Sequence, residues 1–141
     1  MKTYVLGFCF DQDLKNVVLI RKNRPTFQKD LLNGLGGELN EGEQMRDGMT
    51  REFREEAGVD TECSAWKHFG HFYGKGFRVC CFALRDQRSF DMAKTMTDEH
   101  IEKHFVVGVS GWDTVDNLDW LIPMAIDALR SNGMAMALEY L

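Results

Sequence analysis

Prolines are scarce in this chain, with only Pro25 and Pro123 in 141 residues. No Pro-, Gly- or Ser-rich linker, internal repeat or low-complexity tract interrupts it, so one domain over residues 1–141 is expected. Long apolar runs are missing too, and the opening Met1-Lys2-Thr3-Tyr4 carries no signal-peptide pattern. No membrane span and a cytoplasmic location are therefore expected. None of Cys9, Cys63, Cys80 and Cys81 forms a Cys-x-x-Cys pair. Adjacent Cys80 and Cys81 would point to opposite faces of a strand, which predicts free buried thiols rather than a disulfide scaffold. No cysteine stands at zinc-ligand spacing from His100 and His104, and His68 and His71 fall in a strand-like run, which argues against a zinc centre. Basic charge is in the minority, 17 Lys plus Arg against 22 Asp plus Glu, a net −5. That balance argues against bulk capture of nucleic acid. What is present, 44% hydrophobic residues, suffices to bury a core without disulfides or a structural metal.

Two apolar, β-branched runs, 3–10 and 17–22, flank the polar turn Asp11–Asn16 and predict paired strands. Residues 23–42 hold Pro25, Gly34, Gly36, Gly37 and Gly42, too many breakers for one regular element. A helix is expected from about Gln44 to Ala57, stopped by Gly58. Residues 62–73 and 76–84 read as a hairpin about Gly74-Lys75-Gly76. A loop from Arg85 to His100 then leads into a short strand, Phe105–Val107. Apolar residues recur at helical spacing over 117–131, where Pro123 implies a kink or a start near Leu121. The tail Met134–Leu141 carries no assignment. Together these predict an α+β fold, a mixed β-sheet sandwiched between helices.

Chemistry concentrates in Gly36–Val59, GGELNEGEQMRDGMTREFREEAGV. Each helical residue turns by about a hundred degrees, so Glu52, Glu55 and Glu56 share one arc. Met49, Phe53 and Ala57 take the neighbouring arc, expected to face the core, while Asp47 and Arg54 face solvent. Gly48 falls on the acidic arc one turn earlier, where a missing side chain would let a ligand approach. Crowded carboxylates repel unless something positive sits among them. Oxygen-rich clusters suit Mg²⁺ or Mn²⁺, with water and substrate phosphates completing the shell. Taken alone, Arg51–Glu56 also reads as a solvated face with i, i+4 pairs such as Arg51–Glu55.

The flanking residues decide between the two. The stretch resembles the Nudix box, G-x5-E-x7-R-E-U-x-E-E-x-G-U with U bulky and aliphatic. Here it is Gly37, Glu43, Arg51, Glu52, Phe53, Glu55, Glu56, Gly58 and Val59, with every spacer of the right length. Phe53 departs from the aliphatic pattern yet stays apolar. The resemblance implies the Nudix fold and a Mg²⁺-dependent hydrolase (Mn²⁺ substituting) of a nucleoside diphosphate linked to another group. It implies Glu52 and Glu56 as core metal ligands, Glu55 sharing the site and the Gly36 carbonyl completing it. Arg51 and Glu43 would be architectural, Gly37 and Gly58 conformational. Glu99, in Thr97-Asp98-Glu99-His100, resembles a downstream acid that often contacts the metal; a plain surface acid is the other reading.

Outside the box, Leu32–Gly37 resembles the MutT-like branch, which hydrolyses purine nucleoside triphosphates, oxidised ones such as 8-oxo-dGTP included, to monophosphate and pyrophosphate. Asn33 would hydrogen-bond the base, since an amide offers donor and acceptor together. Asp119 and Trp120 resemble base-contacting residues of that branch, and Phe27 and Phe72 are stacking candidates. Lys22 and Arg24 form part of a short basic cluster suited to phosphate. Hydrolysis of ADP-ribose, NAD(H) or dinucleoside polyphosphates is the alternative, and a silent nucleotide sensor a further one. The expected partner is a small nucleotide, with neither membrane nor nucleic acid, on a monomer or homodimer.

Overall fold

Along strand β1 (Lys2–Phe10), Leu6, Phe8 and Phe10 enter one apolar cluster while Val5 and Cys9 enter another. A strand buried on both faces needs cover above and below. The computed structural model describes residues 1–109, 113–131 and 136–140, apart from the side chain of Met136, and shows that arrangement.

Strand β1 runs parallel to β6 (Phe77–Arg85), in register from Lys2–Phe77 to Phe10–Arg85. Its other edge is divided. β2 (Asn16–Arg21) pairs antiparallel at Cys9 and Phe10, and β4 (Leu35–Glu38) from Tyr4 to Gly7. β3 (Leu32–Asn33) joins β2, β5 (Lys67–Gly74) forms a hairpin with β6, and β7 (His100–Phe105) lies antiparallel along β2. β8 (Met136–Glu139) adds a parallel edge beside β5, giving one eight-stranded mixed sheet.

Helix α1 (Met45–Ala57) buries Met49, Phe53 and Ala57 among Val5, Trp66, Cys80 and Phe82 on one face. Helix α3 (Leu118–Ser131) buries Leu121, Ile122 and Ala125 among Phe8, Phe69 and Cys81 on the other. Each large side chain so buried contributes about 1.5–3 kcal/mol. Cys80 and Cys81 do face opposite layers, and all four cysteines are free. Among the described residues no helix is long and apolar enough to cross a membrane.

Several expectations need correction. The stretch 23–42 forms no single element, as expected, yet holds the short strands β3 and β4, because glycines next to a neighbouring strand permit close pairing. The expected loop after Arg85 holds α2 (Gln87–Met92), whose Ser89 N–H is capped by Asp86. The strand placed at Phe105–Val107 is β7, which ends at Phe105; Val107 is exposed. Pro123 neither starts nor ends α3. Its missing N–H would have bonded the Asp119 carbonyl, and Asp119 is exposed to solvent there. Part of the unassigned tail is β8; Met134, Ala135 and Leu141 lie outside the described residues.

Strand β7 is fastened to β2 by a two-pronged ion pair, Arg21 Nε to Glu102 Oε2 at 2.6 Å and Nη2 to Oε1 at 2.8 Å. The Arg21 hydrogen bonds, aided by His104, hold the Glu102 carboxyl down at about 2 against an ordinary 4.5. A depressed carboxylate adds stability above the unfolded value and loses it as pH falls through the folded one. Glu102→Gln should therefore cost about 1–2 kcal/mol at pH 7. Urea unfolding should show that cost shrinking between pH 4.5 and 2; a cost independent of pH would mean the charge is not what fastens β7.

Candidate active site

The site is assembled where β4 meets α1. Gly58 takes the left-handed conformation (φ 73°) that ends the helix, and its N–H reaches the Arg54 carbonyl. With Met49, Phe53 and Ala57 seated in the core, Glu52 and Glu56 are carried inward, Glu55 stays at the rim and Arg54 faces solvent. Glu56 is only 8% exposed, and its Oε1 accepts the Gly36 N–H at 2.8 Å. Within a strand the N–H and C=O of one residue point to the same edge. The Gly36 carbonyl therefore also points away from β1, toward the acidic cluster.

Close approach explains two glycines here. A Cβ on Gly37 would lie 2.5 Å from Glu52 Oε1, and a Cβ on Gly36 would run into the Val5 carbonyl. Gly48 is a correction. It does not open a path for a ligand; its face is covered by the Leu39 side chain, which a Cβ would strike.

Arg51 lies at the centre of the acids. Its guanidinium donates to Glu43 at 2.8 and 3.0 Å, to Glu52 at 2.9 Å, to Glu55 at 3.2 Å and to the Glu38 carbonyl at 3.2 Å. Those bonds hold Glu43 below the usual carboxylate range. Burial pushes Glu52 up, with Arg51 opposing. Glu56 is pushed up to about 8, first by burial and then by the charge of Glu52.

Among the described residues no three His, Cys, Asp or Glu side chains form a ready-made metal cage. A Mg²⁺-like ion does not need one, since it binds through one or two carboxylates and fills its shell with water and phosphate. Two crowded carboxylates, one of them pushed up to about 8 by burial, and an adjacent carbonyl make an all-oxygen set that fits such an ion.

Of the remaining candidates, Lys22 lies against Glu99 (3.2 Å), and their charges reach Glu56. Arg24 pairs with Asp98 in an exposed contact. Phe27 is 77% exposed on the loop between β2 and β3. Asn33 is half-buried, its Oδ1 taken by the Gly34 N–H. Asp119 is exposed on the first turn of α3. Phe72 is buried in edge contact with the rings of Trp120 and Tyr140, and half-buried Trp120 packs on the same cluster. One residue escaped the sequence argument. Asn117 Oδ1 is buried without a hydrogen-bond partner, while its backbone carbonyl accepts the Trp120 and Leu121 amides. An Asn just before a helix reads as an ordinary cap, which hides any other use. The preceding segment pairs with β3, through Leu32 N–H to the Asp113 carbonyl and Val115 N–H to the Leu32 carbonyl. A separate cavity of about 420 Å³, lined in part by Asp60, Thr61, Arg85 and Arg88, shares none of these residues.

The NUDIX domain pattern matches residues 2–130. The chain belongs to the Nudix hydrolase family. No curated protein matches it. Several solved structures share its fold. A MutT protein from Bacillus halodurans superposes with TM-score 0.73 at 18% identity, covering 99% of this chain and 90% of that one. An ADP-ribose pyrophosphatase from Streptococcus suis gives 0.69 at 16%, covering 97% and 98%. The NUDIX domain of Shewanella oneidensis NrtR, complexed with ADP-ribose, gives 0.71 at 15%, covering 90% and 87%. At such identities the likeness shows the Nudix fold alone. Nudix hydrolases generally use divalent metal ions, in keeping with the all-oxygen set on α1.

The raised Glu56 yields a test in metal-free protein. Its stability contribution is complete below the ordinary carboxyl value and is lost as pH rises through about 8. Glu56→Gln keeps the acceptor for Gly36 without the charge. In EDTA it should raise the melting temperature at pH 9, a stability gain of a few kcal/mol, and change it little at pH 5. Equal or lower stability at pH 9 would mean the buried charge is already compensated.

Proposed function

We propose that this Nudix enzyme is a Mg²⁺-dependent pyrophosphohydrolase of nucleoside triphosphates, purine ones first, 8-oxo-dGTP among them, releasing monophosphate and pyrophosphate. The observation that carries the reading is the pairing of a complete acidic helix arc with the Gly36 backbone. Glu52, Glu56 and the Gly36 carbonyl would hold the metal, with Glu55 sharing it; Mn²⁺ fits the same donors. What the bound ion supplies is neutralisation of charge on the pyrophosphate oxygens and acidification of the attacking water. Glu55, at the rim and paired with Arg51, takes the proton from that water. Arg51 keeps Glu52 and Glu55 oriented, and Glu43 keeps Arg51 oriented. Arg24 and Lys22 face the phosphates. Exposed Phe27 stacks on the base, while Asn33 and the unpartnered Asn117 oxygen read its edge; Asp119 stands beside them on α3.

A substrate panel with Mg²⁺ tests this: dNTPs, 8-oxo-dGTP, ADP-ribose, NADH and a dinucleoside polyphosphate, with products identified. Pyrophosphate release from a purine triphosphate is expected, abolished by EDTA and by Glu52→Gln or Glu56→Gln with the circular dichroism spectrum unchanged. Cleavage of ADP-ribose or NADH instead would keep the metal chemistry and discard the purine pocket. In the same assay Asn33→Ala and Asn117→Ala should each raise KM or shift base preference by about tenfold, as one lost hydrogen bond implies. Mn²⁺ affinity should stay unchanged; no shift in either variant would remove both amides from the pocket.

A further inference from the structure

We propose that Glu99 is a positioning residue, whose buried carboxylate fastens the Lys22–Leu31 loop to the start of β7 and so sets where that loop stands beside the acidic cluster. The loop is closed at its neck by two backbone bonds, Lys22 N–H to the Leu31 carbonyl at 2.8 Å and Asp30 N–H to the Lys22 carbonyl at 2.7 Å. Beyond the neck, its first arm leans on Asp98 and Glu99. Glu99 Oε2 accepts the Asn23 N–H at 2.6 Å and the Arg24 N–H at 3.4 Å, while Oε1 faces Lys22 Nζ at 3.2 Å. Asp98 adds its carbonyl to Asn23 Nδ2 and its carboxylate to Arg24, each at 2.7 Å.

These contacts differ in weight. The Arg24–Asp98 pair is exposed, and such pairs contribute little. Glu99 is only 4% exposed, and a buried carboxylate accepting backbone N–H groups makes shorter and stronger bonds. Its own backbone N–H is held in turn by Thr97 Oγ1 at 3.1 Å, so the anchor is fixed at its base. Both carboxylate oxygens are engaged by the loop, which sets Glu99 apart from Glu56, whose Oε1 is held by the Gly36 N–H. Lys22, the loop residue closest along the chain to β2, reaches Glu56 electrostatically, so the loop borders the site it would serve.

The kinetic part of the test rests on the nucleotide reading above; the exchange and metal parts do not. Amide hydrogen exchange on the metal-free full chain should show Asn23 and Arg24 exchanging about tenfold faster or more in Glu99→Ala. Glu99→Gln, isosteric and safer for the fold, should fall between, because a neutral amide oxygen is the weaker acceptor. Mn²⁺ titrated alone should bind Glu99→Gln within about threefold of the unmodified protein, well under the roughly 10–100-fold loss that accompanies damage to a metal's ligand surroundings. With a hydrolysed nucleotide, KM should rise while kcat changes little, the mark of lost substrate binding rather than lost chemistry. Unchanged exchange in both variants overturns the proposal. So does a tenfold fall in Mn²⁺ affinity in Glu99→Gln, which would put the carboxylate on the metal. If no nucleotide is turned over, the functional reading fails and exchange alone decides the anchor.

Discussion

One guanidinium holds the candidate site in shape. Arg51 grips Glu43 and the Glu38 carbonyl from the segment leading into α1, and Glu52 and Glu55 from the helix itself. The approach of the chain to the helix and the direction of its carboxylates are thus set by the same side chain. A lysine could not substitute. Its ammonium is a point charge with three donors, whereas the planar fork of arginine serves several acceptors at fixed angles. Burial strengthens the arrangement, since Arg51 and Glu43 are both mostly shielded from water. The plain reading of the run as a helix face with an Arg51–Glu55 pair is therefore true as far as it goes. That exposed pair is the least of the contacts Arg51 makes.

The cost of gathering acids is met on the other side of the helix. Met49, Phe53 and Ala57 are fully buried against Trp66, Val5 and Phe82, and Phe53 meets the Trp66 ring edge-on at 5.2 Å. This packing fixes the rotation of α1 about its axis. Once it is fixed, Glu56 must sit beside Gly36 and Glu52 beside Gly37, whatever their mutual repulsion. The glycines answer that demand: a side chain at either position would collide with the β1 backbone or with Glu52 itself. Core packing, helix phase and acid placement form one chain of cause.

This is why α1 and its acids were legible in the sequence. Helical phase needs only local spacing, and the spacing of Met49, Phe53 and Ala57 against Glu52, Glu55 and Glu56 gives it directly. The two-faced burial of Cys80 and Cys81 follows equally from strand period. Elements that exist only through distant partners were not legible. β3 and β4 are short and glycine-rich, and become strands because β1 and β2 offer edges to them. β8 depends in the same way on β5. Gly48 failed for a related reason: its arc was right, but the Leu39 side chain that covers it comes from outside the helix. Phe72 and Trp120 were ambiguous because an aromatic suited to stacking on a base is equally suited to stacking in a core. In the fold Phe72 meets the rings of both Trp120 and Tyr140.

The positive charge around the acids is unevenly distributed. Glu43, Glu52 and Glu55 are each paired with Arg51, Glu99 with Lys22, Glu102 with Arg21. Among the described residues Glu56 joins no ion pair, although it is the most buried carboxyl of the helix arc. Its single backbone donor cannot offset the loss of water around a full charge. Burial pushes that carboxyl up to about 8, and a cation placed there would be shared with the oxygens of Glu52 and Gly36. The place most costly to leave charged is thus the place where a divalent ion would recover the most.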